Sequence, residues 1–220
     1  MLERGAVIHG FEIQGALRSG PRGVVYEAIQ GSLRRPVALR MIDEQLSGDP
    51  VFVERFWQQR WPEHPHIVSV YEAGECEHGL FLAMQLIRGP TLAEALRGEP
   101  PALEVMLEVL GQLAEALDAA HADGLPHGWL RPEAVLIDEG ARAWLSDFGL
   151  TPGAATIESD RAAFAALART CLGRRAVPKA KFETASAVVA AIAARERPGD
   201  ADSSWRRRMK RLVPPGRLRG

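Results

Sequence analysis

Residues 120–136 read AHADGLPHGWLRPEAVL. They follow a stretch, residues 102–122, whose apolar residues recur at helical spacing, and Gly124 marks the predicted end of that helix. Short strands are predicted directly afterwards, at Val135–Ile137 and Ala143–Leu145. The quoted stretch therefore connects a long amphipathic helix to a pair of short strands.

The chain before this helix alternates apolar and polar residues, which predicts an antiparallel sheet. Five strands are expected, at residues 11–13, 24–28, 36–40, 67–73 and 80–87. A short helix is predicted over residues 51–60. After the long helix, apolar periodicity predicts two more helices, at residues 160–172 and 186–194.

Composition is that of a globular chain, with 46% hydrophobic residues and a formal net charge of −1. The two cysteines are too few for a disulfide framework, and no apolar stretch reaches the roughly 20 residues that span a bilayer. We expect a cytoplasmic location. The segment 197–220 is rich in arginine, and it is either a solvated, flexible tail or a contact for anionic surfaces.

The quoted stretch resembles the catalytic loop of protein kinases, AH..G..HRDLKP.N.L, along its whole length and without a gap. The family's histidine is kept as His127. The residues that carry the chemistry differ: Trp129 stands at the position of the catalytic base, Arg131 replaces the lysine, and Ala134 replaces a metal-binding asparagine.

Further kinase-like motifs occur in the family's order. Residues 17–28 resemble the glycine-rich loop, with Arg18 at its first glycine, and residues 37–40 resemble the VAIK motif, with Arg40 in place of lysine. Gln59 falls where the family has a helix glutamate, and a glutamine cannot form the ion pair. Residues 64–68 resemble HPNIV.

The DFG motif is matched at residues 146–150, where Asp147 would hold magnesium. Asp160 resembles the buried aspartate that anchors the catalytic loop, and the resemblance gives structural roles to His127, Phe148 and Gly149 as well. Only nine residues separate Gly149 from Ser159, so there is little room for an activation segment.

The resemblance implies a nucleotide pocket, for which ATP or ADP is the candidate ligand. Its expected residues are Leu17, Gly20, Gly23, Val25, Ala38, Arg40, Met84, Gln85, Ile87, Leu136 and Asp147. Met84 would be the gatekeeper, while Gln85 and Ile87 would offer backbone groups to adenine. Asp147 is the single metal candidate, and magnesium or manganese is doubtful because one carboxylate is a weak site. The alternative is that these residues fill a collapsed cleft.

The resemblance to bacterial Ser/Thr kinases implies an α+β, two-lobed protein-kinase-like fold. We expect an N-lobe over residues 9–88, with the five-stranded sheet and one short helix, and a truncated, mostly helical C-lobe over residues 89–196. The predicted tail follows at 197–220.

Three functions are consistent with these residues. The first is a pseudokinase, a signalling scaffold or allosteric partner of another protein, such as an active kinase or its substrate. The second is a weak or altered ATP-dependent protein kinase that uses one metal at Asp147. The third is a small-molecule phosphotransferase, because His127-Gly128 also resembles the HGD loop of aminoglycoside kinases. No nucleic-acid partner is expected, and the oligomeric state is left open.

Overall fold

The computed structural model describes residues 1–97, 102–172 and 182–194. The chain divides into two units. The first contains Met1–Trp61, Val68–Leu86 and Leu150–Ala154, and the second contains Pro62–Ile67, Ile87–Gly149 and the described residues from Ala155 onward.

The first unit is built on a six-stranded antiparallel sheet. Its strands are β1 (Val7–Ile8), β2 (Phe11–Gly20), β3 (Gly23–Gln30), β4 (Arg35–Ile42), β5 (Val70–Cys76) and β6 (Gly79–Gln85). Their order across the sheet is β1-β2-β3-β4-β6-β5. Two helices, α1 (Glu44–Ser47) and α2 (Pro50–Gln58), connect β4 to β5, and each begins at an aspartate whose side chain accepts a backbone N–H.

Successive side chains on a strand point to opposite faces of the sheet, and here one face carries the core. Tyr26, Leu39 and Phe81 lie on that face and are almost completely buried. Val25, Ala38 and Met84 alternate with them and therefore lie on the other face. The sheet thus separates its own hydrophobic core from the face on which the predicted pocket residues stand.

The second unit is mostly helical. Its elements are α3 (Leu92–Ala95), α4 (Leu103–Ala122), a 3-10 turn (Pro132–Ala134), β7 (Val135–Ile137), β8 (Ala143–Leu145), α5 (Ile157–Leu172) and α6 (Ala185–Ala193). Strands β7 and β8 form a two-stranded antiparallel sheet. None of the helices in the described ranges is long and apolar enough to cross a membrane.

The predicted α+β architecture is confirmed, with differences at several elements. The sheet has six strands rather than five, because Val7–Ile8 adds a short edge strand. The predicted strand at 67–73 begins only at Val70, since Ile67 instead forms an isolated parallel bridge with Leu145. Helix α5 begins at Ile157, three residues before the predicted start. The predicted tail at 197–220 lies outside the described residues.

Helix α6 is capped from another helix as well as from its own sequence. Its N-cap residue, Thr184, accepts the N–H of Ala187. The carboxylate of Asp118, on α4, accepts the N–H groups of Ala185 and Ser186 at 2.8 and 2.9 Å. One side chain therefore satisfies two backbone donors that the first turn of a helix leaves unbonded, and it ties α6 to α4.

We expect Asp118→Ala to lower the free energy of unfolding by about 1–2 kcal/mol, the usual effect of losing a helix cap. Asp118→Asn retains one oxygen acceptor and should lose less. Glu115→Ala, an exposed position on the same helix, is the matched control. Urea unfolding curves measure all three variants, and equal losses for Asp118→Ala and Glu115→Ala would exclude the tertiary cap.

Candidate functional site

A buried carboxylate anchors the loop that follows α4. Asp160, in the first turn of α5, is only 1% exposed. Its Oδ2 accepts the backbone N–H of His127 at 2.6 Å and its Oδ1 accepts that of Gly128 at 2.8 Å. The ring Nε2 of His121, at the end of α4, lies 2.9 Å from Oδ2. The carboxylate therefore joins α4, α5 and the loop.

Two opposing effects set the pKa of Asp160. Burial alone would raise it, but the hydrogen bonds from His121, Gly128 and His127 favour the charged form and lower the pKa below its ordinary value of 3.8. The carboxylate is therefore ionised at neutral pH, which is the state that accepts these three donors.

His127 connects the loop to residues 146–149. The side chain is fully buried. Its Nδ1 accepts the backbone N–H of Trp129, which assigns the proton to Nε2, and Nε2 donates to the carbonyl of Ser146 at 2.7 Å. The ring also packs on Phe148 with 4.5 Å between centroids. Burial lowers the pKa of His127 below 6.5, so the neutral ring is the stable form.

The positions of this loop that the kinase resemblance assigns to catalysis carry side chains of a different kind. The guanidinium of Arg131 stacks 4.7 Å from the ring centroid of Trp129 and forms an ion pair with Glu133 at 3.1 Å. Both members of the stacked pair are partly exposed. An indole ring has no proton acceptor for a substrate hydroxyl, so Trp129 cannot act as a general base.

Ala134 lies beside Ser146, the residue before Asp147. The carbonyl of Ala134 accepts both the N–H and the hydroxyl of Ser146, at 2.8 and 2.9 Å, and its methyl group is buried. The position next to Asp147 that would supply a second oxygen ligand therefore supplies none. Within the described residues there is no group of three or more His, Cys, Asp or Glu side chains that could hold a metal ion. The donor set does not fit the two-magnesium site of an active kinase.

In the first unit, strands β2 and β3 remain paired up to Gly20 and Gly23, which leaves Pro21 and Arg22 as a two-residue turn. Gly23 has a φ of 106°, and a Cβ at this position would lie 1.8 Å from the carbonyl oxygen of Met41 on β4. The close approach of β4 is by itself enough to require glycine here, without any role in phosphate binding.

The apolar pocket candidates of the first unit share one face of the sheet. Ala38 pairs with Met84, and Val25 pairs with Arg40, so these four residues lie on the face opposite the core. Leu17 is the extra residue of a bulge in β2 and is 38% exposed. The backbone N–H of Gln85 already donates to Ser69 at 2.8 Å, so it is not a donor for a ligand.

The remaining candidates lie in the second unit. Ile87 is buried, and Leu136 forms an isolated bridge with Thr91. Asp147 has a left-handed backbone, with φ 69°, and Gly149 donates its N–H to the carbonyl of His127.

Gln59 follows α2 rather than lying within it. The helix ends at Gln58, and Gln59 has extended dihedral angles as its C-cap. Its side-chain amide donates to the neighbouring carbonyl of Arg60 at 2.8 Å. The segment therefore offers no carboxylate at this position, and the residue has left the helical register that a family glutamate would need.

Sequence reasoning missed a contact between α2 and the segment that follows Gly149. Arg55 donates from Nη1 to the carbonyl of Gly153 at 2.8 Å and from Nη2 to the carbonyl of Thr151. Thr151 is buried. No local pattern could have indicated this contact, since its partners are almost a hundred residues apart. One guanidinium thus fixes the segment Leu150–Ala154 to α2 within the first unit.

Comparison with known proteins identifies a family and several proteins to which this chain is similar. A family model described as protein kinase domain matches residues 11–166. The serine/threonine-protein kinase PknE of Mycobacterium tuberculosis is 36% identical over 145 residues, which is 64% of this chain and 26% of that protein. PknJ of the same organism is 35% identical over 157 residues, or 68% of this chain and 27% of that protein. This chain spans about a quarter of the length of these curated relatives.

Among solved structures, the PknI kinase domain of M. tuberculosis matches with a TM-score of 0.78 and 21% identity. The match covers 87% of this chain and 98% of that one. At this identity, the similarity concerns the fold.

The shifted pKa values of Asp160 and His127 predict how stability depends on pH. Both groups bind protons more readily in the unfolded chain, so their contribution is complete above pH 6.5 and decreases as the pH falls. The contribution of His127 to stability decreases first, below pH 6.5, and that of Asp160 decreases below pH 3.8.

The Asp160→Asn variant should melt several degrees lower than wild type at pH 7, and this difference in melting temperature should narrow below pH 3.8. Melting curves of Glu139→Gln, an exposed control, should run parallel to wild type, and a constant deficit for Asp160→Asn would contradict this assignment.

The Arg55 contact predicts local dynamics. In Arg55→Ala, the carbonyls of Thr151 and Gly153 lose their donors, so amide hydrogen exchange should accelerate in a peptide that covers residues 150–156. Gln58→Ala changes an exposed residue of the same helix and should leave that peptide unchanged. Exchange rates that are equal in the two variants would show that Arg55 does not order the segment.

Proposed function

This chain belongs to the protein kinase family, and we propose that it is a catalytically inactive member, a pseudokinase that acts as a scaffold or allosteric partner of another protein. The observation that carries the proposal is Trp129. It stands at the position of the catalytic base, on a loop whose anchoring by Asp160 and His127 is complete. The scaffold of the loop is intact while the reactive group is absent.

The expected loss of activity follows from the chemistry of phosphoryl transfer. General-base assistance is worth about 10²–10⁴-fold in rate. Metal ions neutralise the charge that develops on the transferring phosphoryl group, and Ala134 offers no oxygen to hold a second one. The helix that would supply the glutamate ends before Gln59. These losses act on the same transition state, so restoring one of them leaves the others.

The segment after Gly149 supports the same proposal. In active kinases an activation segment follows the DFG motif, and its conformation is controlled by phosphorylation. Here the corresponding residues are few, and Leu150–Ala154 are fixed to α2 by Arg55. A substrate peptide has no comparable platform in this part of the chain.

A protein partner is supported by the side chains that replace the catalytic ones. Tryptophan and arginine are among the residues enriched at the energetic centres of protein interfaces. Trp129 and Arg131 form a stacked, partly exposed pair. The charge of Arg131 is already paired with Glu133, so the pair mainly offers a large, rigid apolar surface, which suits a partner segment that presents an apolar side chain.

The competing function is a weak or altered kinase that uses one metal at Asp147, and it is favoured by the retention of that aspartate. The two functions differ in turnover. We expect the 220-residue chain, with ATP and magnesium or manganese, to show no phosphate transfer to itself or to a general protein substrate. We also expect no ATP hydrolysis above background. Metal-dependent consumption of ATP would favour the altered kinase and contradict the proposal.

A double variant tests whether the loss can be reversed. Trp129→Asp with Ala134→Asn restores the family's residues at the base and metal positions. We expect no activity, because the short, fixed segment after Gly149 still provides no peptide platform. Trp129→Phe with Ala134→Ser is the control for folding, compared by melting temperature. Measurable kinase activity in the Asp/Asn variant would show that the inactivity resides in these two residues alone.

A further inference from the structure

Strand β5 forms one outer edge of the sheet in the first unit. The strand order places β6 on one side of it and no strand on the other. Glu77 and His78 form the two-residue turn between β5 and β6, and Cys76 pairs with Gly79 beside the turn. The pair that flanks such a turn is hydrogen-bonded. Bonded and non-bonded pairs then alternate along the rest of the strand.

Ala73 and Glu75 present their main chain to the open side of this edge. Because Cys76 belongs to a bonded pair, Gly74 and Glu72 also bond to β6. The N–H and C=O groups of Ala73 and Glu75 therefore point away from the sheet. Within the described residues, neither residue has a main-chain hydrogen bond to an element other than β6. An open strand edge of this kind is a template for the addition of another strand.

The sheet surface beside this edge is flat at its centre. Gly74 lies under the ring of Phe81, where a Cβ would be 2.4 Å from the ring carbon Cζ. Packing therefore requires glycine here, and glycine leaves no side chain beside the edge at that point. The side chain of Glu75 is exposed, and those of Glu72 and Ala73 are half-buried. A partner strand can thus approach the main chain between them.

Tyr71 closes one end of the edge. A bulge lies between Val70 and Glu72 and interrupts the alternation of the ladder. The guanidinium of Arg35 stacks on the ring of Tyr71, 3.6 Å from its centroid. The regular part of the edge is therefore the segment 72–76, which is long enough for a short strand.

The charge of the edge determines which strand it suits. Strand β5 and the turn after it contain three glutamates, at positions 72, 75 and 77, and no lysine or arginine. Glu72 lies 3.6 Å from the ring of His9, whereas Glu75 has no ion pair among the described residues. A second copy of this edge would bring like charges together, which is a common means of preventing edge-to-edge association. A strand with lysine or arginine at alternate positions instead forms opposite-charge pairs.

We propose that the β5 edge binds an extended, basic segment of a partner protein as a seventh strand of the sheet. Main-chain groups of that segment pair with Ala73 and Glu75, and its cationic side chains lie against Glu75 and Glu77. The proposal supplies a surface and a partner chemistry for the scaffold role proposed above, and it rests on that role only in requiring a partner. It involves neither the loop that carries Trp129 nor any of the predicted nucleotide-pocket residues.

The test is a titration of a fluorescent heptapeptide, Lys-Thr-Lys-Val-Lys-Thr-Lys, with the 220-residue chain, followed by anisotropy. One matched peptide has glutamate in place of lysine, and a second keeps the lysines but carries an N-methyl group on every amide. We expect the unmodified lysine peptide to bind more tightly than either matched peptide by about tenfold or more, because each lacks one of the two kinds of contact. Its binding should weaken as salt is raised.

Amide exchange locates the bound strand. In the free chain, the amides of Ala73 and Glu75 should exchange with deuterium faster than that of Gly74, which is bonded within the sheet. The lysine peptide should slow exchange at Ala73 and Glu75. Exchange measured by NMR resolves these amides individually, and protection by the peptide only at other strands would contradict the assignment to this edge.

A proline variant removes one main-chain donor of the edge. Ala73→Pro deletes an N–H that faces solvent, a position where an edge strand tolerates proline. It should weaken binding of the lysine peptide by about tenfold or more. Val7→Pro makes a similar change on β1, at the opposite edge of the sheet, and is the matched control that should leave binding within about twofold.

A charge variant tests the partner chemistry separately. Glu75→Lys with Glu77→Lys should reverse the preference, so that the glutamate peptide binds more tightly than the lysine peptide. Glu139→Lys, at an exposed position in the second unit, should leave the preference unchanged. Melting temperatures identify any variant that fails to fold, and the charge variant, whose positions are exposed, keeps the test decisive if Ala73→Pro does not fold.

Several results would overturn the inference. They are equal binding of the lysine and N-methylated peptides, binding that neither Ala73→Pro nor the charge variant changes, and no binding of the lysine peptide. Dimerisation of the free chain that Ala73→Pro abolishes would also overturn it, because the edge would then pair with a second copy. None of these results concerns catalysis, so the proposed inactivity would stand. ATP turnover by the wild-type chain would instead remove the proposed function and leave the result for this edge unchanged.

Discussion

One buried carboxylate holds the helical unit in its shape. Asp160 accepts the backbone N–H groups of His127 and Gly128 and contacts His121, so the end of α4, the start of α5 and the loop between them share a single acceptor. An ionised carboxylate is costly to bury unless its oxygens are bonded, and here the loop supplies two main-chain donors to it. The ring of His127 then bonds to the carbonyl of Ser146 and packs on Phe148, which connects the loop to residues 146–149.

This arrangement explains how the loop keeps its path although Trp129, Arg131 and Ala134 differ from the residues of the family motif. The groups that determine the path of the chain are main-chain N–H and carbonyl groups together with Asp160 and His127. The side chains of Trp129 and Arg131 contact each other, and neither makes the hydrogen bonds that join the loop to Asp160 and to Ser146. The hydrogen bonds that hold the loop therefore do not depend on the side chains at 129, 131 and 134, because they join main-chain groups to Asp160 and His127.

Much of the fold could be predicted from the sequence because it is encoded locally. Alternation over residues 24–40 and helical spacing over 102–122 are strong periodic signals, and β7 and β8 have the predicted bounds. The family motifs also indicated Asp160 as the anchoring residue.

Other features depend on distant residues and have no local signal. Ile67 bridges Leu145 instead of extending β5, Asp118 caps a helix 67 residues later, and Gly23 is required by the carbonyl of Met41. The open edge at β5 likewise results from the order of the strands, which composition does not reveal.

The contact of Arg55 with the segment after Gly149 has a consequence for control. Its acceptors are the main-chain carbonyls of Thr151 and Gly153, which every residue possesses and which no modifying enzyme adds or removes. In a kinase that is switched by phosphorylation, the phosphate group that orders this segment is added and removed. Here the group that orders the segment is the guanidinium of Arg55, which belongs to the sequence itself. The order that Arg55 gives to this segment therefore does not require a phosphate group, because the donor and both acceptors are encoded in the sequence.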